Sequence, residues 1–200
     1  MTTLDWYNAN AQTFVDGADL VDLSALRGAF LEHLPRGARV LDVGSGSGRD
    51  ACAFEALGHR VTALEPSTAL AARLRERLRG EVIPATVESL EVVDAFDGVW
   101  ACASLLHVPA VATRDALTRL RRALVAGGVL YASYKRGDGE RWESGRFFND
   151  QTRASIEGLL TEVGFERART WETRDARPDR ADTVWVNALA WRPSTLPPLS

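Results

Sequence analysis

The stretch Arg39 to Asp50, RVLDVGSGSGRD, constrains this chain more than any other. An apolar run (Val40, Leu41, Val43) carries an acid, Asp42, near its end. It passes into a turn holding Gly44, Ser45, Gly46 and Gly48, and a helix-compatible segment, Asp50 to Leu57, follows at once. Glycine permits positive φ and close approach of a ligand to the backbone. The start of a helix leaves N–H groups free and carries partial positive charge. A buried strand entering a helix through such a turn predicts a small-molecule site, although a tight turn alone needs no ligand. A dinucleotide fingerprint, G-x-G-x-x-G, would place its third glycine at position 49. Arg49 stands there, and the chain reads G-x-G-x-G instead.

Size and charge narrow the class. A chain of 200 residues with 46% hydrophobic content predicts one domain with a full core. The net charge of −3, with arginines scattered among acids, gives no basic face, so no nucleic-acid partner is expected. Cys52 and Cys102 lack metal-ligand spacing, which predicts no metal site and fits a reducing compartment. No apolar run is long enough to span a membrane, and MTTLDWYNAN lacks the regions of a signal peptide. A cytoplasmic protein, monomeric or homodimeric, with no membrane partner, is the expectation.

Further along, β-rich apolar runs alternate with amphipathic helices. Trp6 to Leu34 reads as two short helices. Apolar runs follow near Val61–Leu64, Val82–Ile83, Gly98–Ala101 and Val129–Tyr134. Helices with i, i+3/i+4 spacing are expected near Ser67–Arg79, Ala110–Ala126 and Thr152–Val163. Gly58, Gly80, Gly127 and Gly164 read as left-handed helix ends. Strand–helix alternation with short links predicts a parallel sheet covered on both faces. Phe165–Thr173 and Thr183–Trp191 are joined by a link too short for a crossover helix, so they should pair antiparallel. The expected layout is a helical cap (1–36), a ligand-binding core (37–135), an irregular lid loop (136–150), a last helix and hairpin (151–192) and a frayed tail (193–200).

Ligands of open parallel sheets bind beyond the carboxyl ends of the strands. Glu65, in VTALEPS, ends the second strand and can accept both hydroxyls of a ribose, or else caps the helix start beside Pro66 and Ser67. His107 either takes a proton from an acceptor hydroxyl or amine, or bonds a loop carbonyl. Cys102 has no base in its sequence neighbourhood and is a poor nucleophile. His33 and His59 read as structural or exposed. The stretch around Tyr134, Lys135, Arg146, Phe147 and Phe148 sets cations beside aromatics, which suits a small anionic acceptor; the alternative is a solvated loop with arginines paired to Glu140 and Glu143. Arg49 adds a cation near the same mouth.

The order VLDVGSGSGRDA, VTALEPS, FDGVWACASLLHVP, LVAGGVLYASYKRGDGE and GRFF resembles the class I S-adenosylmethionine (SAM) methyltransferases, in the small bacterial branch close to the tellurite-resistance type. The resemblance covers Tyr7 to Trp191. It implies an α/β, Rossmann-like seven-stranded sheet, with five parallel strands plus a C-terminal antiparallel hairpin and helices on both faces. It also implies methyl transfer from SAM to a small-molecule acceptor by direct in-line displacement, with S-adenosylhomocysteine as product.

By the same resemblance, Asp42 helps hold the methionine end, Gly44, Ser45, Gly46 and Gly48 contact the cofactor, and Glu65, with Pro66 and Ser67, binds at the ribose. Thr86, Val87 and Glu88 flank the adenine, although many members have Asp where Thr86 stands. Asp97 matches an acid at the start of its strand. Ala101, Cys102 and Ala103 lie along the cofactor, and Tyr7 belongs to a segment that closes over it. Arg49, Ser104, Lys135, Phe147 and Phe148 are the expected acceptor contacts. His107 and Tyr134 are the candidate bases, and Arg146 positions the acceptor. Two other readings fit the same residues: an NAD(P)-linked oxidoreductase, which Arg49 and the terminal hairpin disfavour, and a SAM-binding module without catalysis.

Overall fold

The computed structural model describes residues 2–177 and 180–194. The proline-rich end of the expected tail, 195–200, lies outside the described residues. The parallel strands are β1 (Arg39–Val43), β2 (Arg60–Leu64), β3 (Glu81–Ile83), β4 (Phe96–Ala101) and β5 (Leu124–Lys135). With β8 (Glu166–Arg174) and β9 (Val184–Trp191) they form a seven-stranded sheet in the order β3-β2-β1-β4-β5-β9-β8. Strand β9 runs antiparallel to both β5 and β8. The strand order reverses between β1 and β4, which leaves a crevice at their carboxyl ends.

Helices cover both faces. On one side α6 (Ala110–Ala123) and α7 (Arg153–Glu162) bury Leu117, Leu120, Ile156 and Leu160 against the sheet. On the other, α3 (Ser24–Leu31), α4 (Arg49–Ala56) and α5 (Thr68–Arg77) bury Phe30, Phe54 and Leu74. Each such side chain contributes about 1.5–3 kcal/mol on full burial. Trp100 of β4 lies at the centre of the second layer, stacked on Tyr131 at 4.0 Å between centroids and edge-on to Phe54. No helix among the described residues is long and apolar enough to cross a membrane.

Three features differ from the sequence reading. The N-terminal region makes three helices, because Asn10 separates α1 (Thr3–Ala9) from α2 (Ala11–Asp19) by bonding back to the Trp6 carbonyl, and Asp22 accepts the Ser24 N–H at the start of α3. The expected irregular loop 136–150 is mostly a hairpin of β6 (Gly139–Glu143) and β7 (Arg146–Asp150). Its turn residues Ser144 and Gly145 have φ of 50° and 78°, the conformation whose twist matches a two-residue hairpin. Side chains alternate along β7: Arg146 and Phe148 face inward, while Phe147 pairs across the strands with Trp142.

The third difference concerns the glycines. Gly58 and Gly164 do end helices, each closing a pair of backbone bonds with the following residue. Gly127, at φ 77°, lies inside β5. Gly80 has no positive φ; it is there because a Cβ would meet the Val61 carbonyl oxygen at 1.9 Å. Gly58→Ala, with open space around it, should therefore cost about 1–2 kcal/mol for its left-handed backbone. Gly80→Ala should cost more, about 3 kcal/mol, since the obstacle is a backbone atom of β2. Urea unfolding midpoints at constant slope measure both.

Candidate functional site

A cavity of about 540 Å³ lies at the carboxyl ends of the parallel strands, a size usual for small-ligand sites. Each βα connection contributes to it. The turn after β1 packs tightly: a Cβ on Gly44 would sit 2.5 Å from the Ser104 Cβ, so only glycine lets the β1 and β4 loops meet. The turn is clamped from β2. Glu65 Oε2 accepts the Gly46 N–H at 2.7 Å, and Oε1 accepts the Ser67 N–H at 2.8 Å. Burial raises the Glu65 pKa, and these two bonds oppose the rise. Each oxygen keeps acceptor capacity for a further donor.

Three buried polar atoms on lining residues lack partners among the described residues: Asp42 Oδ2, Ser104 Oγ and Arg146 Nε. Burial, reinforced by the nearby Asp50 charge, pushes the Asp42 carboxyl well above the usual carboxylate range. Asp50 itself is held low. Burial would raise it, but Arg49 and then Arg27 outweigh that, with Arg49 Nη2 and Arg27 Nη1 each donating at 2.7 Å. Arg49 is thus committed to its neighbour and to the Ala18 carbonyl while it lines the cavity.

His107 uses both ring nitrogens. Nδ1 lies 2.6 Å from the Phe147 carbonyl, which can only accept, so Nδ1 carries the hydrogen. Nε2, 2.9 Å from Tyr7 Oη, therefore accepts from the Tyr7 hydroxyl. Burial depresses His107 to about 4, and Arg146 and Lys135 push the same way against the Phe147 bond, so the ring is neutral near pH 7. Of the two sequence readings of His107, the structure shows the backbone bond, made to a carbonyl of β7, while the other ring nitrogen is bonded to a tyrosine on the cavity wall.

Asp42, Gly44, Ser45, Gly46, Arg49, Glu65, Pro66, Thr86, Val87, Glu88, Cys102, Ala103, Ser104, Lys135, Arg146, Phe148, Tyr7 and His107 all line the cavity. The others do not. Tyr134 is fully buried in the α6–α7 core layer, off the lining and with its hydroxyl unpartnered, and burial raises its pKa, so it is no base for this cavity. Phe147 turns outward and offers only its backbone carbonyl, to His107. Ala101 is wholly buried. Gly48 caps α4 against Leu74, and Ser67 caps α5 while donating to Asn8 Oδ1. Asp97 clamps Arg39 at the opposite ends of the strands. Burial pushes the Cys102 thiol up to about 12, which removes it as a nucleophile.

The sequence reading missed Phe14 of α2, Asp50, and Arg174–Arg177 with Trp185 at the β8–β9 connection, all on the lining. Because β8 runs in the same direction as β1–β5, its carboxyl end shares their edge. Applying the strand-end rule to β8 finds those residues. Phe14 has no local signal, since only the packing of α2 brings it there.

A methyltransferase-domain model matches residues 41–132. A ribosomal RNA small subunit methyltransferase G from Rhodopseudomonas palustris (strain TIE-1) is 30% identical over 189 residues, covering 84% of this chain and 85% of that protein. The crystal structure of Burkholderia thailandensis 1,6-didemethyltoxoflavin-N1-methyltransferase, with bound 1,6-didemethyltoxoflavin and S-adenosylhomocysteine, superposes with a TM-score of 0.72. It is 26% identical, over 91% of this chain and 84% of that one. A Mesorhizobium loti S-adenosylmethionine-dependent methyltransferase shares the fold at a TM-score of 0.69 and 21% identity, over 89% of this chain and 100% of that one. With the seven-stranded order and the clamped glycine turn already in place, the chain belongs to the class I SAM-dependent methyltransferases.

Proposed function

We propose that this methyltransferase acts on a small-molecule acceptor bound beside SAM in the walled part of the cavity. One observation carries the reading. One wall of the cavity is built by α1 and β7, which are tied together: the Phe147 N–H donates to Thr3 Oγ1 at 2.9 Å, Tyr7 reaches His107, and Trp6 packs on Gly145. Asn8 fastens the other side of α1 to α5 through Ser67 Oγ and the Ala69 N–H. A small solute fits behind such a wall. The toxoflavin-precursor enzyme from Burkholderia, whose structure holds a small acceptor, supports the same reading.

The residues present fit SAM. The unpartnered Asp42 Oδ2 and Ser104 Oγ are groups that an amino-acid head would satisfy. Asp42 and the backbone of Gly44–Gly46 would hold that head, Glu65 the ribose hydroxyls, and Thr86, Val87 and Glu88 the adenine, with Tyr7 over the top. Gly48, Ser67 and Ala101 would brace these groups from behind. When bound, SAM supplies an electrophilic methyl group on a sulfonium. No covalent enzyme intermediate is required, so the chain's work is to hold the partners at near-attack distance and exclude water. Ser104, Arg49, Lys135 and Phe148 would contact the acceptor. For an acceptor that carries a proton, the Tyr7 hydroxyl would take it while passing its own hydrogen to His107 Nε2.

We also place the chain near the tellurite-resistance branch, on its Arg49-Asp50 pair, and in the cytoplasm. The ribosomal RNA relatives favour a second reading, a nucleic-acid acceptor. The net charge of −3 and the tied α1–β7 wall weigh against it. Release of S-adenosylhomocysteine from a pool of small metabolites, and none with deproteinised ribosomal RNA, is the expected result; the reverse result would establish the RNA reading.

Two outcomes test the assignments. Asp42 would receive the ammonium of SAM, so Asp42→Asn should weaken cofactor binding at least tenfold, as calorimetric titration measures. His107→Gln should lower S-adenosylhomocysteine release by about 100-fold for a proton-bearing acceptor, with cofactor affinity within threefold of wild type. The same substitution should flatten acid sensitivity. The His107 pKa is lowered in the fold, so its share of stability, about 3 kcal/mol, is complete above pH ~6.5 and is lost as the pH falls towards 4.

A further inference from the structure

We propose that Arg146 binds an oxyanion of the methyl acceptor, a carboxylate or a phosphate, through the Nε edge of its guanidinium; this rests on the small-acceptor reading of the same cavity. Arg146 stands on the inward face of β7. Its guanidinium lies 4.2 Å from the Trp6 ring centroid, 5.3 Å from that of Phe148 and 6.0 Å from that of Tyr7. These rings hold the charge by their faces and fix its plane.

Arg146 combines a missing counter-ion with an unpartnered buried donor. Three other cations on the lining are paired with carboxylates: Arg49 with Asp50, Lys135 with Glu143 at 2.9 Å and Arg177 with Asp175 at 2.5 Å. Among the described residues no carboxylate lies within ion-pair reach of Arg146, and its buried Nε has no hydrogen-bond partner. An aromatic face attracts the cation but takes none of its in-plane N–H bonds. Buried donors are normally satisfied, and one left open on a cavity wall marks a place where a ligand completes the set. The Nε–H with one Nη–H forms a fork that matches two oxygens of a carboxylate or phosphate. Lys135 Nζ, 3.9 Å from the Phe148 ring centroid and paired with Glu143, packs beside the same ring. An acceptor anchored there lies beside the Tyr7 hydroxyl and its His107 partner, so anchor and proton route converge.

The full chain loaded with S-adenosylhomocysteine can be titrated with benzoate, phenyl phosphate and neutral benzamide by ligand-observed NMR. At least one anion should bind ten times or more tightly than benzamide, and the stronger of the two identifies the oxyanion. Arg146→Met should erase that preference. Arg146→Lys, which keeps a cation near Trp6 but loses the fork, should reduce it at least threefold, and it decides the matter if Arg146→Met fails to fold. S-adenosylhomocysteine affinity should stay within threefold in both variants. Equal binding of anions and benzamide, or an unchanged preference in the variants, overturns the assignment while the small-acceptor reading stands. Failure of the wild-type chain to bind S-adenosylhomocysteine would remove both.

Discussion

One carboxylate holds the cofactor end of this protein together. Asp50 is almost wholly buried at the start of α4, and three elements converge on it. Arg27 reaches it from α3, Arg49 from its own turn, and the Trp100 Nε1 of β4 donates at 3.2 Å. Removing one partner of a buried ion pair costs about 3–5 kcal/mol, far more than a surface pair contributes. The same contacts fix the site. Arg27 anchors the helical cap, Arg49 sits on the lining, and Trp100 is stacked on Tyr131, whose hydroxyl donates to Asn187 of β9 at 2.7 Å. One chain of polar contacts therefore runs from the cap, under the cavity, to the terminal hairpin.

The cavity above that chain divides into two chemistries. Near β1 and β2 it offers unpaired acceptors and backbone groups, with Glu65 shaping the turn. Near β5, β7 and the β8–β9 connection it is lined by aromatic rings and cations. Between them stand Tyr7 and His107, each bonded to the other and both buried enough to favour their neutral forms. A site arranged this way needs little from its own ionisable groups beyond positioning, as expected when the reactive electrophile arrives with the cofactor.

Legibility from sequence followed locality. The β1–turn–α4 unit and the position of Glu65 at the end of β2 were readable because they depend on a few adjacent residues. The strand alternation and the terminal hairpin were readable from period and link length. Tyr134 was not, and the reason is physical. Strand β5 is buried on both faces, so its run VLYASY carries no alternation to say which residues point to the cavity. Ser133 and Lys135 turned out to line the cavity, and Tyr134 faces the α6–α7 layer. The hairpin β6–β7 hid behind charged residues, although Ser144-Gly145 between Trp142 and Phe147 was its signature. That the α1–β7 wall is tied by contacts between residues a hundred or more positions apart had no local sign.

The insertion of β9 between β5 and β8 bears on how the molecule is made. Strands β1 to β5 emerge from synthesis in an order that lets each βα unit dock on its predecessor. The edge of β5 nevertheless stays open until residues 184–191 arrive, and β8 has no partner in the sheet before then. Pairing over such separations is slow relative to local helix formation. A nascent chain thus carries an exposed strand edge and an unfinished cavity at the same time, and competence for ligand appears only as the sheet closes.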